Sequence, residues 1–316
     1  MNMDIKHLGE FNLIKQLTKD IKTDKSVIAG VGDDAAVLEY SRKEYLLLTC
    51  DMLVEDVHFL RKASLPSRTG GWQAKPQEIG WKAVCCSVSD IAAMGGEPKW
   101  MVLSVGLTKN LDLKYIDGIY TGIKKAASKF GVNIVGGDTV SSAKLTIDVS
   151  MIGSVKKKNL KLRSGAKLGD AIFVTGKLGN SVKSGKHLRF IPRLKEAQGL
   201  VNNFKIGAMM DISDGLSGDL QHILEMSKAG AIIYEKYLPK AKGATTESAL
   251  GEGEDFELLF TASKKEARRI IDKFSRISQT PVTCIGEIIK AGFGLIMIDK
   301  KRKPLQIKPK GYDHFA

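Results

Sequence analysis

The sequence predicts two successive halves, each a layered mixture of strands and helices of the α+β kind, over residues 1–155 and 156–316. Three observations point there. Strongly periodic helical stretches alternate with short strand-like runs in an order that fits mixed layers better than a strict βαβ sheet. The basic stretch Lys156–Arg163, followed by SGAKLGD, has the character of a linker. Each half also carries a Ser-Asp pair (Ser89-Asp90, Ser213-Asp214) that is expected to open a helix rich in small residues.

Phe11, Leu13, Ile14, Leu17 and Ile21 keep helical spacing and predict an amphipathic helix. Tyr45–Thr49 (YLLLT) predicts a buried strand that delivers Asp51 at its end. Glu78–Met94 is helical in character, and Met101–Leu107 predicts a strand. Leu113, Ile116, Tyr120, Ile123, Ala127 and Phe130 recur at alternating steps of three and four, which predicts a helix. Val132–Val135 is expected to be a strand ending in a Gly-Gly-Asp turn. Leu145, Ile147, Val149 and Met151 alternate with Thr146, Asp148 and Ser150, a strand with one polar face. In the second half, strands are expected at Ala171–Thr175, Phe256–Thr261, Val282–Ile288 and Phe293–Ile298, with helices at Leu216–Ser227 and Lys264–Phe274.

Apolar residues make up 43% of the chain and charged ones 27%, the balance of a globular protein. No apolar run reaches the roughly 18 residues a membrane span needs, and MNMDIKHLGEFNLIKQL lacks the apolar core of a leader peptide, so a cytoplasmic location is expected. The four cysteines form no CxxC pair, which argues against structural zinc or a disulfide framework. Cys85 and Cys86 are expected in the core. A formal net charge of +14 fits attraction of small anionic substrates or a solvated surface. Nucleic-acid binding would want a dense basic run with interleaved aromatics, and Lys156–Lys161 and Lys300–Lys303 lack that pattern.

Against this basic background stand seven aspartates in short turns: Asp33 and Asp34 in GDDAAV, Asp51 in TCDML, Asp90 in SDIAAMGG, Asp138 in GGDTV, and Asp211 and Asp214 in DISDGL. GEGEDFELLF adds Glu254 and Asp255. Two carboxylates at 4 Å repel by roughly 4 kcal/mol at an intermediate dielectric, so such acids can gather only if cations neutralise them. Oxygen-ligated Mg²⁺ with a polyphosphate is the chemistry this suggests. Taken singly, each aspartate could be an ordinary turn or helix cap. Capping gives no reason for the pattern to recur beside Gly or Ser at strand ends, whereas metal binding does. Gly30–Ala35 fits the GxGxxA dinucleotide fingerprint, but its two carboxylates would repel a pyrophosphate, and no GxxxxGK[ST] loop exists. His58, seven residues beyond Asp51, is a candidate for substrate contact.

GDDAAV, CDMLVEDVHF, SDIAAMGGEPKW, GGDTV, LRSGAKLGD, DISDGLSGDL, GEDFELLFT and the terminal GYDHF, in this order over nearly the whole chain, resemble the thiamine-monophosphate kinase family. That family is similar in fold to aminoimidazole ribonucleotide synthetase. The resemblance implies an α/β N-terminal domain whose sheet pairs across a homodimer, and an α+β C-terminal domain. It also implies transfer of phosphate from ATP to thiamine monophosphate, directly and in line, with several Mg²⁺ ions. Carried over by motif, Asp34, Thr49, Asp51, Asp90, Asp138, Asp211 and Asp214 would hold metal. Tyr120, Gly137, Asp138, Arg163 and Ser213 would contact ATP. His58, Glu254 and Tyr312 would face the thiamine phosphate, with Glu254 answering its cationic moiety.

Three departures stand out. Pro309 lies where the family often has a tryptophan, which leaves Tyr312 as the aromatic candidate. Cys50 replaces a usual threonine, and a thiol is a poor Mg²⁺ ligand. The segment from Gly185 to Pro192 is short and is expected to be a trimmed surface loop. Two enzymes of related fold are disfavoured: residues 1–25 lack the cysteine or selenocysteine of selenophosphate synthetase, and the chain ends DHFA without the cysteine of the hydrogenase-maturation dehydratase. A non-catalytic Mg-nucleotide sensor is the alternative of another class.

Overall fold

The computed structural model describes residues 8–61 and 73–315, which form two sheets. Residues 1–7, part of the stretch weighed above as a leader, lie outside the described residues. Helix α1 (Glu10–Thr18) precedes strands β1 (Val27–Ala29), β2 (Ala36–Glu39) and β3 (Glu44–Val54). Helix α2 (Pro76–Ala93), β4 (Glu97–Leu107), α3 (Leu113–Phe130), β5 (Asn133–Ser141) and β6 (Thr146–Lys156) follow. The first sheet has the order β1-β2-β3-β6-β4-β5, antiparallel except for the β4/β5 pair.

The 3–4 spacing of α3 places Ile119, Ile123, Ala126 and Ala127 on its buried side. Asp112 caps its first turn by accepting from the Lys114 amide at 3.0 Å, and Gly131 ends it at φ 70°. Helices α2 and α3 meet backbone to backbone. A Cβ on Gly80 would stand 2.0 Å from the Ile119 carbonyl oxygen, and one on Gly122 2.0 Å from that of Gln77. Any larger residue at either position forces the helices apart.

The second half contributes β7 (Ala171–Thr175), α4 (Ser181–Ser184), α5 (Lys186–Arg189), α6 (Leu194–Asn203), β8 (Ile206–Asp211), α7 (Leu216–Ser227) and β9 (Ala229–Tyr234). It continues with α8 (Thr246–Gly251), β10 (Leu258–Ala262), α9 (Lys264–Lys273), β11 (Val282–Lys290), β12 (Leu295–Ile298) and β13 (Pro304–Gln306). Its sheet runs β13-β12-β9-β11-β7-β10-β8. The halves share a core: Ala92 and Ala93 of α2 pack with Phe173, Phe260 and Leu200 of the second half. Helix α2 is therefore the spine between the sheets, and its polar residues face whatever lies between them. Among the described residues no helix is long and apolar enough to cross a membrane.

Several local expectations need correction. Asp51 lies inside β3 and not at its end, because pairing with β6 continues to Val54 opposite Thr146. Gly136-Gly137-Asp138 is not a turn. β5 runs through it in register with β4, and Gly137 lies so flush that a Cβ would stand 2.1 Å from the Leu103 carbonyl oxygen. Ser89 and Asp90 fall near the C-terminal end of α2 and do not open a helix. Ile21 lies beyond α1, and no residue of α1 is buried. The segment after Gly185 is not a surface loop: Leu188 and Phe190 are buried, with the Phe190 ring stacked on Phe256 at 3.9 Å. Cys85 and Cys86 are buried, as their helix face predicts.

Candidate active site

Four acids meet where the two halves face each other. Asp34 follows the Gly32 turn ahead of β2, Asp51 comes from β3, Asp90 from α2, and Asp211 is the last residue of β8. Burial, and then repulsion from Asp51, Asp211 and Asp34, pushes the Asp90 carboxyl well above the usual carboxylate range. Burial with the nearby Asp34 carries Asp211 to about 7. Burial raises Asp51 to about 6 despite a hydrogen bond from Ser87. Burial and Asp34 take Asp33 to about 7. Hydroxyls serve the cluster one by one: Ser87 donates to Asp51 at 2.6 Å, Thr49 to Asp90, and Ser89 to Asp211.

Arg163, at the start of the second half, donates to Asp34 Oδ1 through Nη2 at 2.7 Å and Nε at 3.1 Å, and its amide donates to Asp33 at 2.9 Å. Burial acts to lower the guanidinium pKa, but the Asp34 carboxylate outweighs it and the net shift is upward. The single charge of Arg163 does not balance these acids, and Asp34 Oδ2 is buried without a hydrogen-bond partner. An all-oxygen donor set with an orphaned carboxylate oxygen suits a hard divalent cation. Among the described residues, however, no three acidic, histidine or cysteine side chains are spaced to grip an ion by themselves. Oxygens from a ligand or water must complete the coordination, as is usual for Mg²⁺ on a nucleotide.

Two cavities open on this centre and share Asp214 and Tyr312. The larger, about 1040 Å³, runs between α1 and α7 and contains Gly32, Arg163 and His222. Burial and the charge of Arg163 depress His222 to about 4, so its imidazole is neutral at pH 7. The smaller, about 160 Å³, is walled by Asp51, His58, Lys82, Glu254, Tyr312 and His314, with Ser213 at its side. His58 Nδ1 accepts the Val54 amide at 3.0 Å, which in the neutral ring leaves the proton on Nε2. The Tyr312 amide donates to the Asp214 carbonyl at 3.1 Å, and the His314 ring lies 5.2 Å from His58 and 4.7 Å from Tyr312. Glu254, at φ 58°, forms an ion pair of 2.6 Å with Lys82.

Asp34, Thr49, Asp51, Asp90, Asp211, Asp214, Arg163, Ser213, His58, Glu254 and Tyr312 thus gather on one centre and its two cavities. Tyr120, Gly137 and Asp138 do not join them within the chain. Asp138 pairs in register with Ser104, and Ser104 with Asp148, on the sheet face turned away from α2. Tyr120 is half-buried on α3 against the first core. The residues that sequence reasoning missed are Lys82, Ser87, Ser89, Asp219 and His314. Asp219 is buried in α7 and accepts the Gly215 amide at 3.0 Å, which shapes the turn that carries Asp214. A signal existed for Lys82: it precedes Cys86 and Asp90 at steps of four, one face of a helix.

The chain is similar to known proteins over nearly its whole length. Residues 32–155 match the family model "AIR synthase related protein, N-terminal domain", and residues 147–298 match "AIR synthase related protein, C-terminal domain". The thiamine-monophosphate kinase of Buchnera aphidicola subsp. Schizaphis graminum is 35% identical, over 97% of this chain and 99% of its own. That of Aquifex aeolicus is 34% identical, over 99% and 100%. A solved structure described as AaThiL complexed with AMPPCP and TMP superposes with a TM-score of 0.83 at 32% identity, covering 99% of both chains.

Proposed function

The chain belongs to the thiamine-monophosphate kinase family, and from that premise we infer that it transfers the γ-phosphoryl group of ATP to thiamine monophosphate, giving ADP and thiamine diphosphate. The observation that carries this reading is the under-neutralised acid cluster at the junction of two cavities, one holding Arg163 and the other His58 and Glu254.

The acceptor is itself a phosphate, largely dianionic at neutral pH because its second pKa is near 6. It needs no general base. The obstacle is mutual repulsion of two polyanions beside a nest of carboxylates. Asp34, Thr49, Asp51, Asp90 and Asp211, with Asp214 at the shared wall, are the residues that would hold Mg²⁺. Bound there, the metal supplies the positive charge that lets the phosphates approach. Arg163 adds a fixed cation on the nucleotide side. His58 walls the acceptor side, and Tyr312 and His314 offer aromatic surface to a heterocycle. We place the nucleotide in the larger cavity and the acceptor in the smaller, so that transfer occurs in line past Asp214.

We further take residues 1–155 and 156–316 as the two domains, the cytoplasm as the location, and a homodimer as the working state. The homodimer is supported by the outer face of the first sheet, where Leu48, Met52, Trp100 and Val102 are exposed beside an edge strand, β5, exposed along its whole length. Such an apolar face with an open edge needs covering. Asp138 then points at the partner subunit, which accounts for its separation from the cluster of its own chain. Sedimentation equilibrium is expected to give about twice the mass of one chain; a monomer at micromolar concentration would count against the dimer.

The reaction itself is tested with γ-labelled ATP, Mg²⁺ and thiamine monophosphate. Label is expected in thiamine diphosphate in step with ADP, and none on the protein when the acceptor is omitted. Hydrolysis without thiamine diphosphate rejects the function, and a kinetically competent phospho-protein rejects direct transfer.

A further inference from the structure

Lys82 lies on α2 with no exposed surface. Its ammonium donates to Glu254 Oε2 at 2.6 Å and to the His58 carbonyl at 3.0 Å. These partners belong to different halves of the chain, the loop after β3 in the first and the turn before β10 in the second, and all three residues wall the smaller cavity.

The turn that carries Glu254 is held in an unusual shape. Gly253, Glu254 and Phe256 all have positive φ, at 75°, 58° and 50°. Its neighbouring acids point back into the second half. Asp255 accepts the Gly179 amide at 2.9 Å, and Glu257 is gripped by Arg193 at 2.6 and 2.7 Å, by Lys186 at 2.9 Å and by Thr175 at 2.8 Å. Only Glu254 is sent across to the first half, where Lys82 meets it. A left-handed conformation at a non-glycine residue persists when its surroundings over-determine it, and here they do.

We propose that Lys82 is a positioning residue for the acceptor, which fixes the Glu254 carboxylate and the His58 loop in the one arrangement that recognises the thiamine end of thiamine monophosphate. The proposal rests on the kinase reading above. The pair changes what Glu254 can do. Its charge is already answered inside the protein, so it serves the acceptor as a fixed hydrogen-bond acceptor and not as a loose counter-charge. A buried ion pair is also a poor device for stability alone, since well-packed apolar residues of similar size commonly do as well or better. What such residues cannot do is aim a carboxylate oxygen.

The test is steady-state kinetics and melting temperature for the full chain and for Lys82→Met, Glu254→Met and the double variant, with ATP and thiamine monophosphate each varied. Lys82→Met is expected to raise the KM for thiamine monophosphate about tenfold or more while the KM for ATP stays within about twofold. The double variant, free of any unpaired buried charge, is expected to melt at or above the unsubstituted protein yet keep the raised acceptor KM, with the two substitutions far from additive. If both KM values move together, or the acceptor KM stays within about twofold, Lys82 is structural only and the proposal fails. Should Lys82→Met not fold, Lys82→Gln takes its place with Glu254 intact: an acceptor KM and ATP KM both within about twofold of the unsubstituted protein overturn the proposal, and a selectively raised acceptor KM supports it. Absence of turnover in the unsubstituted protein would instead reject the kinase reading, and calorimetric binding of thiamine monophosphate to the same four proteins then judges Lys82 by the same criteria.

Discussion

Asp51→Asn is expected to reduce turnover at least about a thousandfold while leaving the metal-free protein as stable as before or more so. Of the four clustered acids, Asp51 is the one that lines the smaller cavity, and it lies within electrostatic reach of Asp90 and Asp211. Loss of one charged ligand from a shared metal cluster removes several kcal/mol of transition-state stabilisation. Stability moves the other way because burial, and then repulsion from Asp148, disfavours the charged form of this carboxyl. The sign follows from linkage. A carboxyl raised from 3.8 to about 6 holds its proton more tightly in the folded chain than in the unfolded one, so folding stability falls as pH rises through that interval. Asp211, raised to about 7, extends the decline toward neutrality. Without metal, the melting temperature is therefore expected to drop between about pH 4 and about pH 7, less steeply in Asp51→Asn, and Mg²⁺ is expected to restore more of it at the higher pH. Near-normal turnover of the variant at saturating Mg²⁺, or a steeper pH decline, contradicts this role.

Arg163→Met should lose both activity and stability. The guanidinium makes two bonds to a buried Asp34 carboxylate and its side chain is only 19% exposed, so solvent cannot replace it. Removing one partner of a buried pair costs about 3 kcal/mol or more, because the remaining charge is left uncompensated. Turnover should fall by a factor of about a hundred to a thousand as the fixed cation on the nucleotide side is lost. Arg163→Lys should recover stability better than activity, since an ammonium cannot reproduce the two-pronged contact. Asp51→Asn and Arg163→Met thus have opposite expected effects on melting temperature with the same effect on turnover. Equal effects on melting temperature would show that the cluster is not governed by repulsion. Denaturation curves beside kinetics on each variant provide the comparison.

How much of this could be read in the chain depends on range. Helix α3 was legible because its buried face repeats within eighteen residues, and DISDGL because a strand end and a helix start lie within it. The aspartates were legible as a group because Gly and Ser stand beside them against a basic composition. The strand through Gly136-Gly137-Asp138 was not, since glycine reads locally as a turn and only the flush contact with Leu103 explains it here. The separation of Asp138 from the cluster depends on β6 lying between β3 and β4, an order no local pattern encodes. Lys82 was illegible for a plainer reason: a helix lysine is usually solvated, and the carboxylate that makes its burial tolerable lies 172 residues away. The very short helices α4 and α5 carry too few residues for a period to show.

The most direct test of the central claim, that these acids converge through cations on the transferring phosphate, is a crystal structure with Mn²⁺ in place of Mg²⁺, a non-hydrolysable ATP analogue and thiamine monophosphate. Anomalous scattering is expected to place Mn²⁺ ions within about 2.2 Å of carboxylate oxygens of Asp34, Asp51, Asp90 and Asp211, bridging them to phosphate oxygens of the nucleotide beside Asp214. Nucleotide bound with no divalent ion in contact with those four aspartates would contradict the account.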